Sequence, residues 1–128
     1  MLEKETFAYR FNQLMGDRLM DVKTLAQASK ISESTLYGYS EGKHSPGNYM
    51  IVIAICIGMR LDFRDSTELL LSAGFKVDYS KLTHEQQVHY SALMATHIWS
   101  LDEWNMYFNR HSARALVTNP NSKKGEPE

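Results

Sequence analysis

Eight side chains between positions 23 and 44 share one possible chemistry, hydrogen bonding and charge pairing with phosphates and base edges. Lys23 and Lys43 are cations suited to a phosphate, and His44 beside Lys43 fits the same contact. Ser32, Ser34 and Thr35 carry short hydroxyls that can reach a phosphate or a base edge. Tyr37 offers a phenol that can bond a phosphate or pack on a thymine methyl. Glu33 can accept from a cytosine amino group, although its charge repels phosphates and equally suits a helix N-terminus. Each has a plainer reading beside this one. Ser32 serves as a helix cap alone or as cap and contact. Tyr37 is either a DNA contact or a surface aromatic for a protein partner, and the lysines are otherwise ordinary solvated charges.

Other chemistries find little support. His84 and His89 are five apart, His89 and His97 are eight apart, and His111 stands alone, so none has the i, i+4 spacing of a helical metal site. There is no HExxH pattern, no Ser-His-Asp arrangement and no glycine-rich phosphate loop. The expectation is no metal, no cofactor and no enzymatic activity. The single cysteine, Cys56, lies in an apolar run, which excludes a disulfide framework and points to a reducing, cytoplasmic compartment.

The candidate residues need helices to position them. Phe7, Phe11, Leu14 and Met15 form an apolar stripe, predicting a helix over 3–18. Asp21 caps a second helix holding Val22, Leu25, Ala26 and Ala28, where the small Ala26 lets helix two approach helix three. A tight turn at Ser29, Lys30 and Ile31 leads to Ser32, the cap of helix three. There Leu36 and Tyr39 face inward, while Glu33, Ser34, Tyr37 and Gly38 face outward. Gly38 weakens that helix by roughly 1 kcal/mol relative to Ala. Gly42 turns the chain out at positive φ.

Helix four is expected over 48–57. Its IVIAICI run is β-branched enough for a strand, but its length and context favour a helix that is apolar nearly all round and needs burial on most sides. Ser66 or Thr67 is expected to cap helix five, with Leu69, Leu70, Leu71 and Ala73 before Gly74. A linker runs from Lys76 to Leu82. Capping boxes at Thr83/Gln86 and Ser100/Glu103 open helix six, running to about His97, and helix seven. Helix six presents Val88, Ala92, Ala95 and Trp99. Helix seven presents Leu101, Trp104, Tyr107 and Phe108, and the aromatic stripe is either core or dimer surface. Ala113, Ala115, Leu116 and Val117 suggest a last turn or short helix. Residues 119–128 have no apolar side chain and are expected to be disordered.

Composition sets limits on partners. No apolar run approaches the ~20 residues of a membrane helix, and the first residues lack the pattern of a signal peptide. The net charge is −1, and residues 1–78 carry nine Lys/Arg against ten Asp/Glu. Any basic footprint for a nucleic acid must therefore be local.

The string LAQASKISESTLYGYSEGKHSP, with NYMIVIAICIGM and STELLLSAGF after it, resembles the lambda-repressor-like helix-turn-helix proteins of the Cro/C1 or XRE type. The match covers roughly residues 5–75. LDEWNMYFNRHSARAL is similar to helical extensions that follow some such domains in Gram-positive bacteria. The resemblance implies an all-α fold, a five-helix bundle over 1–78 with a helical extension over 79–118. It implies a bacterial or phage transcription regulator, repressor-like, binding a double-stranded operator as a homodimer with helix three in the major groove. Lys23, Lys43 and His44 then meet phosphates, and Ser32, Glu33, Ser34, Thr35 and Tyr37 lie at the reading face. The family usually opens helix two with Gln; Val22 stands here, which shifts that phosphate contact to Lys23 or removes it. The reading positions also lack the Gln, Arg or Asn usual in the family. An alternative is a protein-interaction module derived from this motif that no longer binds DNA. No effector is legible.

Overall fold

A computed structural model describes residues 6–117, and they are all-helical. Seven α-helices run α1 (Phe7–Asp17), α2 (Val22–Ser29), α3 (Glu33–Ser40), α4 (Tyr49–Met59), α5 (Phe63–Ser72), α6 (His84–Ser91) and α7 (Leu101–Arg110). Short 3-10 turns at Tyr79–Lys81 and Ala92–Met94 interrupt the connections. The expected disorder of residues 119–128 and the first residues of the helix expected over 3–18 lie outside the described residues.

Local chemistry sets most helix starts. Asp21, Ser32 and Asn48 each accept a hydrogen bond from the amide three residues on, satisfying a donor that the helix leaves unpaired. Thr83 with Gln86 and Ser100 with Glu103 form complete capping boxes. Thr6 caps α1, whose first residue is Phe7. Gly42 turns at φ +76° as expected.

Three expectations fail. Helix five is capped by Asp62, whose carboxylate accepts from the Asp65 amide at 2.8 Å, not by Ser66 or Thr67. Ser66 is a fully buried residue inside the helix, whose Leu71 faces solvent. Helix six stops at Ser91 rather than near His97. Beyond it the backbone is drawn onto the end of α4: Thr96 donates its hydroxyl hydrogen to the Leu61 carbonyl, and Arg60 donates to the His97 carbonyl. The buried face of α6 is His89 and Tyr90, with Val88 only partly covered. Residues 113–117 form no helix. They run as a strap that buries Ala113 and Leu116, and Asn105 Oδ1 accepts from the Leu116 amide at 2.8 Å.

The apolar helix α4 is the axis of the fold. Val52 to Cys56 are fully buried, and each large aliphatic side chain among them contributes roughly 1.5–3 kcal/mol. Contacts to α4 come from α2 and α5 on the N-terminal half and from α6, the Ala92–Met94 turn and α7 on the C-terminal half. A close approach to α4 involves Gly58. A Cβ there would lie 3.0 Å from Leu25 Cδ1 and 3.2 Å from Ser29 Cβ. Small size thus matters where α2 meets α4, a requirement the expected role of Ala26 did not include.

The C-terminal half is tied down by one buried histidine. His89 Nδ1 lies 2.7 Å from the Tyr49 hydroxyl, and its Nε2 lies 2.8 Å from the Arg114 carbonyl. A neutral ring that donates from Nε2 and accepts at Nδ1 satisfies both bonds. Glu85 adds an ion pair to Arg114 at 2.9 and 3.0 Å and also accepts from the Arg114 amide at 2.8 Å. These bonds from Arg114 hold the Glu85 carboxyl down at about 2. Among the described residues no helix is long and apolar enough to cross a membrane.

Candidate nucleic-acid interface

The eight candidate residues sit on α2, on α3 and its cap Ser32, and on the loop after it. Between the two helices lie three residues, Lys30, Ile31 and Ser32. Lys30 takes the left-handed conformation at φ 64°, and Ile31 is buried. The Lys30 amide still bonds the Ala26 carbonyl, closing α2 before the chain turns. Ser40 fixes the far end of α3. Asn12 of α1 donates to the Ser40 carbonyl at 2.9 Å and accepts from the Ser40 hydroxyl at 2.7 Å.

Along α3, Glu33, Ser34 and Tyr37 are exposed, and their spacing puts them on one outward strip. Glu41, four residues beyond Tyr37, continues that strip. Among the described residues the Ser34 hydroxyl has no hydrogen-bond partner, which leaves its donor and acceptors available. Tyr37 is 51% exposed. Ser32 and Thr35 are more committed. The Ser32 hydroxyl accepts from the Thr35 amide at 3.1 Å and donates to the Thr35 hydroxyl at 2.9 Å. The one proton of Ser32 is thus used inside the helix start, while Thr35, half-buried, keeps its own proton to donate.

The cations differ. Lys23 is exposed on the first turn of α2 beside Asp21. The Asp21 carboxyl is held below its ordinary value, chiefly by hydrogen bonds from Thr24 and less by Lys23. Lys43 is paired with Glu41 at 3.0 Å. Both partners are well exposed, so the pair is weak and salt-sensitive. Glu33 and Glu41 on the strip thus offset Lys43 in the loop and Lys23 on α2, with no net positive charge.

Gly38 departs most from expectation. It is buried, not outward. The His44 ring lies over it, so that a Cβ at position 38 would fall 2.1 Å from His44 Cε1. The same ring packs edge-on against Tyr39, with centroids 5.1 Å apart at 77°. The Lys43 amide bonds the Gly38 carbonyl at 2.9 Å, folding the loop back on the helix. His44 thus packs its ring over Gly38 and against Tyr39 while the residue remains exposed. Glu41, which holds Lys43, was also missed. An acidic residue two positions before a lysine in a turn was the available signal.

The arrangement can donate and accept single hydrogen bonds through Ser34, Thr35 and Tyr37, and it can offer two cations. It has no planar bidentate donor. Among the described residues no group of three or more His, Cys, Asp or Glu could hold a metal ion. Comparison with family models, curated proteins and solved structures returns no match.

Proposed function

We propose that this protein is a sequence-specific DNA-binding transcriptional regulator, repressor-like, that acts as a homodimer. Residues 1–78 serve as a lambda-repressor-like helix-turn-helix bundle, with α3 in the major groove. The carrying observation is that α2 and α3 are joined by three residues and present Glu33, Ser34 and Tyr37 on one exposed strip. Ser34 and Tyr37 read base edges by single hydrogen bonds, so much of the specificity comes from DNA shape and bridging water. Lys23 and Lys43 meet phosphates, Lys43 exchanging its exposed Glu41 partner for the backbone.

Fluorescence anisotropy with pooled fragments from upstream of the protein's own gene, repeated across salt, tests this reading. A dimer using both lysines on each half makes four phosphate contacts, which gives a slope of log affinity on log salt of about −3.6. Lys43→Ala should remove about half of that loss with salt at these four sites and weaken all sequences alike. Ser34→Ala should reduce preference among sequences. Folded variants that bind as the parent does refute the reading.

A protein-interaction module is the second reading. It is favoured by the pairing of Lys43 with Glu41 and the unopposed Glu33, which leave the strip without positive charge. Absence of any sequence preference, even at low salt, selects it.

A further inference from the structure

A groove of about 1110 Å³ opens between the α2–α3 turn, the first turn of α4 and the C-terminal strap. Its apolar surface comes from Ile31, Met50, Ile51, Leu116 and Val117, one or two from each wall. Ser32 and Thr35 edge it on the α3 side. Its size suits a small molecule.

Tyr39 gives this groove its chemistry. The residue is only 3% exposed, yet it lines the groove. Its ring is locked edge-on against Phe7, Phe11 and His44. Its hydroxyl has no hydrogen-bond partner among the described residues and is not among the fully buried unpaired polar atoms, so the oxygen keeps contact with solvent while the ring is buried. Burial pushes the phenol above its ordinary value, so it stays protonated and is a donor. The Thr35 hydroxyl, half-buried on the same groove, keeps a second proton to give.

The charges around the groove are already matched. Lys30 pairs with Asp102 at 3.4 Å, and Arg114 is held by Glu85 through two side-chain bonds. Glu33 lies on the rim without a cation. Counting these five side chains, the local balance is one negative charge. A ligand bringing a carboxylate would have to break an existing pair and face Glu33.

We propose that the groove binds a neutral amphiphile, an apolar chain or ring carrying an amide or ester carbonyl. The carbonyl oxygen accepts from Tyr39 and Thr35, and the apolar part covers Met50, Ile51, Leu116 and Val117. Such a ligand bridges the strap and the first turn of α3, whether or not α3 meets DNA.

The test uses the full chain and Nile red, a neutral dye with a carbonyl acceptor, displaced by octanamide or by octanoate at pH 7. Saturable dye binding is expected, with octanamide displacing it at a concentration at least ten-fold lower than octanoate. Tyr39→Phe keeps the ring packing and removes only the donor. It should weaken octanamide about five-fold, as loss of one neutral hydrogen bond does. Ala115→Trp fills the groove from the strap and should abolish dye binding, with helix content checked by circular dichroism. Octanoate equal to octanamide, or dye binding unchanged in both variants, overturns the proposal. Dye binding that appears only when residues 118–128 are removed assigns the groove to that segment and overturns it equally.

Discussion

Replacing Gly38 with Ala tests whether the His44 ring occupies the space beside α3. A Cβ at that position would lie 2.1 Å from His44 Cε1, 2.5 Å from Nε2 and 2.9 Å from Nδ1. The ring has to leave, and it can, because it is the far end of a side chain on an exposed loop. Two effects then oppose each other. Ala in place of a helical Gly stabilises by about 1 kcal/mol. Loss of the edge-on contact with Tyr39 removes about 0.5–1.5 kcal/mol. Gly38→Ala alone should therefore change stability little. In a His44→Ala background the three atoms nearest that Cβ are gone and the helix preference dominates. There Gly38→Ala should stabilise by about 1 kcal/mol, or roughly 4 °C in Tm for a domain of this size. The difference between backgrounds, a coupling of about 1 kcal/mol, is the quantity to read. Urea unfolding of the four proteins followed by circular dichroism measures it. Equal stabilisation in both backgrounds, within about 0.3 kcal/mol, means the ring does not sit on Gly38 and the reasoning is wrong.

Gly58→Ala should behave differently, because its neighbours are core atoms, including the Ser29 amide nitrogen at 3.3 Å. Crowding of roughly 1–3 kcal/mol against about 1 kcal/mol of helix preference leaves a net destabilisation of about 1 kcal/mol; a higher urea midpoint would contradict the close approach of α2 to α4. The His89 imidazole titrates below its ordinary value because burial disfavours its cation. The unfolded chain thus takes up that proton first as pH falls. Stability should be intact above about pH 6.5 and decline below it, with a flatter profile for His89→Gln in urea midpoints between pH 7.5 and 5.5. Glu85, whose carboxyl is held at about 2, should add a separate loss that begins below about pH 4.5 and continues to about 2. Burial pushes the Cys56 thiol up to about 12. Ellman's reagent at pH 8 should then label it no faster than the protein unfolds, and immediate labelling of the folded protein would contradict its burial.

What the sequence made legible was local. Asp21, Ser32, Thr83 and Ser100 cap helices because a short polar side chain meets an amide three residues on, and both partners are read from one stretch of chain. The start of α5 was harder because Asp62, Ser66 and Thr67 all qualify, and only packing showed that Ser66 points into the core. Gly38 could not be read at all. Its environment is made by His44, which reaches it only because the loop folds back. His89 was equally hidden, since Tyr49 is 40 residues away and Arg114 is 25. On the candidate site, the exposed strip of Glu33, Ser34 and Tyr37 followed from helical spacing. The partners that commit Ser32, Lys43 and His44 followed only from the tertiary arrangement.

The burial of α4 by both halves of the chain also constrains how this protein is made. Its apolar turns are synthesised before α6, α7 and the strap that complete their cover. Between the end of α5 at residue 72 and Leu116, a ribosome moving at about 5–20 residues per second needs roughly 2–9 s. During that interval the nascent chain carries a helix of Ile, Val and Met side chains covered only on the sides that α2 and α5 reach. It is then a natural client for a chaperone at the tunnel exit. Messages truncated after α5 should accordingly yield aggregates or degradation products rather than a smaller folded protein.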